Sequence, residues 1–121
     1  SCIKVRSCVK VIDQNGSDTL VVIPQLGGVS SVTSGAVTVA DNDIFYFDVQ
    51  IVITKIGSAG TAEAFGYVGT DATGATLLHA DNVSMTAIDM SGDVTLGINC
   101  DWSAANADNE ATHQWTTIEI L

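Results

Sequence analysis

Residues 43–56 read Asp43-Ile44-Phe45-Tyr46-Phe47-Asp48-Val49-Gln50-Ile51-Val52-Ile53-Thr54-Lys55-Ile56, and this stretch decides the fold class. Phe45, Phe47, Val49, Ile51 and Ile53 fall on one side of an extended chain, and Tyr46, Asp48, Gln50 and Thr54 on the other. That period of two is what a strand with one buried face requires. The stretch is predicted to be a long central β-strand.

The pattern continues in both directions. Toward the C-terminus, Gly57-Ser58-Ala59-Gly60 is a turn, and 61–69 return antiparallel with Phe65 and Tyr67 on one face. Asp71-Ala72-Thr73-Gly74 turns the chain again, before extended segments at 75–79 and 84–90 joined by a polar link. After Ser91-Gly92, residues 93–102 alternate, with Val94, Leu96, Ile98, Cys100 and Trp102 sharing a face. The loop 103–110 is rich in Ala, Asn and Asp and has room for one helical turn; 111–121 closes the chain as a strand. Toward the N-terminus, Ile3, Val5, Val9 and Val11 alternate with Lys4, Arg6 and Lys10. Asn15-Gly16 within 13–18 predicts a hairpin turn, with 19–23 as its return strand. Pro24 cannot donate to a ladder and so predicts a strand end or an exposed edge. Gly27-Gly28 marks a reversal, and 29–40 form two short strands or one irregular edge.

About eight to ten short strands separated by regular turn signals indicate an all-β, antiparallel β-sandwich in a single domain over 1–121. Periodicity leaves a jelly roll and an immunoglobulin-like sandwich open; the absence of a Cys-Trp-Cys core arrangement favours the jelly roll. A chain of 121 residues is long enough to bury roughly two thirds of its unfolded surface in one core.

Composition narrows the function. A formal charge of −10 repels a phosphate backbone and disfavours nucleic-acid binding. No apolar run reaches the length of a membrane span, and no signal peptide is visible. The chain begins with Ser1 and not Met, which reads as a processed product or an ordered fragment of a longer polypeptide. Three of the four basic residues, Lys4, Arg6 and Lys10, lie in the first ten positions, a positive stripe on an acidic body. It suits either a solvated strand face or contact with an acidic neighbouring subunit. The three cysteines leave at least one unpaired. Cys2 and Cys8, on the order of 20 Å apart along one strand, cannot bridge. Reduced thiols are expected, with Cys100 filling core beside Trp102.

Catalytic constellations are not visible. His79 and His113 lack metal-ligand spacing, and no nucleophile, base and acid set emerges, so neither an enzyme nor a cofactor is expected. Asp13, Asn15, Ser17 and Asp18, and likewise Asp41-Asn42-Asp43, have the oxygen ligands of a calcium loop but not its full pattern. Turn chemistry explains them as well. Trp102, Trp115, Tyr46 and Tyr67 would make a sugar-stacking platform if exposed together. Trp102 is expected in the core, which leaves Tyr46 and Trp115 for an interface or a glycan. Apolar Ile44, Val52 and Ile56 on the nominal outer face of the longest strand predict surface that self-association would cover. The interface set read from the sequence is Lys4, Arg6, Lys10, Ile44, Tyr46, Val52 and Trp115.

Several segments together, Ser17-Asp18-Thr19-Leu20, Asp43-Ile44-Phe45 through Gly57-Ser58-Ala59-Gly60-Thr61, Gly92-Asp93-Val94-Thr95-Leu96, and Trp102-Ser103-Ala104-Ala105-Asn106 with Asn109 before Ile118-Glu119-Ile120-Leu121, resemble a group of small tailed-phage structural proteins. The shared features are a late "W-S-x-A-x-x-x-N" loop and a final "V/I-E-x-L" strand. The resemblance implies a virion structural protein of jelly-roll type: a capsid decoration (cement) protein or short head fibre, often homotrimeric. It further implies assembly in the host cytoplasm, with the major capsid protein or another virion protein as partner. It transfers no catalytic residue. The alternative is a receptor- or carbohydrate-binding module of a phage tail or fibre.

Overall fold

The computed structural model describes residues 1–14, 17–73 and 78–121. The Asn15-Gly16 turn, Gly74 and residues 75–77 lie outside them. Among the described residues nine strands run in the order β1 (Cys2–Asp13), β2 (Thr19–Leu26), β3 (Val29–Ser30), β4 (Val37–Thr38), β5 (Ile44–Lys55), β6 (Gly60–Thr70), β7 (Leu78–Ile88), β8 (Leu96–Trp102) and β9 (Glu110–Ile120). There is no helix among the described residues, so the loop 103–110 lacks the helical turn its composition allowed.

The strands form two antiparallel sheets. The larger is five-stranded, in the order β7-β6-β5-β1-β9, and the expected central strand β5 is its middle member. In the smaller sheet β2 pairs with β8 along one side and, end to end along the other, with β3 and β4. Alternation sends Val9, Val11, Phe45, Phe47, Val49 and Ile51 inward from the large sheet, where they meet Leu20, Val22 and Leu26 of the small one in a single core. Phe45, Phe47 and Ile51 are fully buried, each contributing about 1.5–3 kcal/mol relative to exposure.

Three expectations need correction. β1 and β2 do not pair as a hairpin: they belong to different sheets. Pro24 neither ends its strand nor sits at the edge. It lies within β2, the middle of the small sheet, opposite Ile98. Its ring nitrogen faces the irregular segment between β3 and β4, where no ladder donor is needed, while its carbonyl accepts from Ser31 N (3.0 Å) and Ser31 Oγ (2.6 Å). The polar link expected after residue 79 is part of one continuous strand, β7, because a sheet-edge strand tolerates Asp81 and Asn82 in water.

At one point the sheet has no room for a side chain. Gly66 stands opposite Val49 with φ +148°, and a Cβ built there would lie 2.1 Å from the Asp48 carbonyl oxygen. Gly66→Ala is therefore expected to destabilise the domain by about 2–4 kcal/mol, measured by urea unfolding. Gly97→Ala, where the added atom meets nothing within 4 Å, should change stability little.

Candidate interaction face and open edge

The alternation that fills the core also fixes what the large sheet shows on its outer side. Register places Cys8 opposite both Tyr46 and Trp115, giving one transverse row across β5, β1 and β9. The row on one side holds Ile44 and Lys10; the row on the other holds Tyr67, Asp48, Arg6 and Thr117. Next come Phe65, Gln50, Lys4 and Glu119, then Glu63, Val52 and Cys2. All seven residues of the expected interface set thus share this one face.

Aromatic rings dominate its middle. The Tyr46 centroid lies 6.2 Å from Tyr67 and 5.9 Å from Trp115, with ring planes tilted by 40° and 57°. Trp115 is 44% exposed, and Tyr46 and Tyr67 are half-buried. Trp102 is absent from the group because it packs against the core, as its strand face predicts. Cys8 is buried in this row; burial first, and then the charge of Asp71, push its thiol pKa up. Arg6 Nε is 3.4 Å from Asp48 Oδ2, a solvent-accessible pair worth about 0.2–1 kcal/mol. The sequence offered no sign of this pair, which depends on the β1–β5 register.

A second feature lies at the opposite side of β9. The small sheet is narrower than the large one and leaves an edge of the sandwich open. Ile118 and Ile120 face inward opposite Val5 and Ile3, yet they are 53% and 69% exposed, and Leu121 is 67% exposed. Between β8 and β9 runs a cleft of about 520 Å³ lined by Val5, Leu96, Ile98, Cys100, His113 and Ile118, among others. Cys100 is consequently exposed and does not fill core as expected: its strand face is apolar, but the open cleft separates it from the β1 and β9 residues on the other wall. The apolar surroundings raise its pKa. Cys2, Cys8 and Cys100 are all free thiols. At the cleft, the buried Ser7 Oγ donates to the Trp115 carbonyl (3.0 Å) and lies 2.8 Å from Thr116 Oγ1, which in turn meets His113 Nε2. Ser7 is thereby tied into the sheet. The His113 ring thus has a side-chain partner in Thr116. The side chain of His79 lies outside the described residues.

The "W-S-x-A-x-x-x-N" loop proves to be a clamp on the start of β2. Ser103 N donates to Thr19 O (2.9 Å) and Ser103 Oγ accepts from Thr19 N (2.8 Å). Asn109 Nδ2 and Asn106 Nδ2 both donate to Asp18 Oδ2, at 2.8 and 2.6 Å. Asp18 is thus occupied by amides. Asp43 Oδ2 accepts Ala40 N in a local turn. Among the described residues no three His, Cys, Asp or Glu side chains gather as a metal site, and Asn15 of the first oxygen cluster lies outside them.

The two amides hold the Asp18 carboxyl below its ordinary value, Asn109 contributing more. A depressed folded-state pKa stabilises above the ordinary carboxylate pKa and loses that contribution as pH falls through the depressed value. Asn109→Ala should therefore raise the Asp18 pKa in a carboxyl-detected NMR titration. The melting-point difference from wild type should be largest near neutrality and shrink in acid.

Comparison of the chain with protein-family models, with curated proteins and with solved structures returned no match.

Proposed function

We propose that this chain is a structural subunit of a tailed-phage particle, a capsid decoration protein or short head fibre, that works by covering its open β8–β9 edge with sister copies. One observation carries the reading: Ile118, Ile120 and Leu121 stand more than half exposed beside an apolar cleft between two strands that each pair on one side alone among the described residues. Exposed apolar edges are templates for association, and a cyclic arrangement, here a trimer, closes where an open one would propagate. The likeness of the segments ending in Ile118-Glu119-Ile120-Leu121 to phage structural proteins supports the same reading.

Two nested pairs, β1 with β9 and β2 with β8, favour a jelly-roll wrapping, although β5, β6 and β7 follow one another as hairpins. The partners in this reading are the chain itself and the major capsid protein or another virion protein, on a particle built in the host cytoplasm.

Light scattering at micromolar concentration should report a trimer, and the Ile118→Asp/Ile120→Asp double variant a folded monomer. Maleimide should modify Cys100 more slowly in wild type than in that variant. A strictly monomeric wild-type protein removes the proposal.

A further inference from the structure

The outer face of the large sheet has a different chemistry from the open edge. The middle of a protein–protein interface is depleted of Lys, Asp and Glu. Here the Arg6–Asp48 pair occupies the row beside Tyr46 and Trp115, and Gln50 and Lys4 occupy the row after that. A protein laid over these rows would strip water from charges at the centre of the contact. A ligand carrying C–H faces and hydroxyl groups in alternation would not. Its C–H faces would cover the rings, and its hydroxyls would replace the water on Asp48, Arg6 and Gln50.

The charges on this face select further. Over the rows from Ile44 to Val52, the cations Lys4, Arg6 and Lys10 are offset by the carboxylates Asp48, Glu63 and Glu119, and Asp71, which accepts Ile44 N at 2.8 Å and acts on Cys8, adds a further negative charge, so the face has no positive surplus. The chain as a whole carries −10. An acidic ligand would meet the field of the body with no local surplus of positive charge to offset it; a neutral one is indifferent to that field. Access to the rings is also provided, because Gly69 stands opposite Tyr46 and puts no side chain over that flank.

We propose that this face binds an uncharged oligosaccharide, with sugar rings stacked on Trp115 and Tyr46 and hydroxyls held by Asp48, Arg6 and Gln50. This site is separate from the open edge and does not depend on self-association. Saturation-transfer NMR of the wild-type protein with neutral hexasaccharides of glucose, galactose, mannose and N-acetylglucosamine, and with oligogalacturonate as the acidic probe, tests it. Transfer to at least one neutral probe is expected, with affinity weakened roughly tenfold by Trp115→Ala. Gln50 is exposed, so Gln50→Ala tests the site without disturbing packing: it should weaken binding several-fold with unchanged melting point and unchanged light scattering. Absence of transfer to every neutral probe, transfer confined to oligogalacturonate, or neutral binding untouched by both substitutions overturns the proposal.

Discussion

β1 is hydrogen-bonded along both sides, to β5 from Cys2 to Lys10 and to β9 from Ile3 to Asp13, and this double pairing decides the character of every surface discussed above. A strand held on both sides cannot slip by one residue without sending Val5, Val9 and Val11 to solvent and Lys4, Arg6 and Lys10 into the core. The buried valines make that slip prohibitive. Once the parity of β1 is set, β5 and β9 inherit it through the ladder. Tyr46 and Trp115 come to the outer side on either flank of Cys8, and Ile118 and Ile120 are committed to the inner side whether or not anything covers them there.

The open edge then follows from a mismatch of widths. Five strands stand on one side of the core. On the other, β8, β2 and the end-to-end pair β3 and β4 span only three strand positions. Sheets stack face to face at about 10 Å with strands about 4.8 Å apart, so three positions cannot roof five. The deficit falls at β9, where the inward residues are exposed, and not at β7, where Met85 and Ile88 are buried. The register shift in β9 between the partners of Cys8 and Val9 keeps Trp115 outward and His113 inward within two residues. One bulge thereby furnishes both the outer aromatic row and the wall of the cleft.

Much of this was legible in the sequence because alternation reports burial directly. The two faces of β5, the outward set on β1 and the inward set on β8 all follow from period two. What the sequence could not convey was pairing between distant segments. That β1 and β2 belong to different sheets, that Arg6 meets Asp48, and that Asn106 and Asn109 reach back to Asp18 are each consequences of topology, and a one-dimensional pattern is silent on them. Pro24 misled because the rule against proline in an inner strand assumes a regular neighbour, and the neighbour here breaks between β3 and β4 at that position. Cys100 misled for a related reason. Alternation assigned it to the inward face correctly, but facing inward amounts to burial only where the two sheets close on each other, and at β8 and β9 a cleft stands between them.

The two proposed surfaces divide the chemistry of the molecule in a way that makes each more useful to the other. The open edge is lined mainly by apolar side chains and by no Lys, Arg, Asp or Glu among the described residues, suited to permanent burial against identical copies. The outer face is a shallow platform of rings and paired charges, suited to a ligand that exchanges with water. A single platform of half-buried tyrosines and one exposed tryptophan offers little area, and contacts of that size are weak. Copies held together at their β8–β9 edges would present several such platforms at fixed spacing, and a polysaccharide surface would meet them with an effective concentration that no single contact supplies. Edge closure would then set the strength of attachment, and the parity of β1 would set what is recognised.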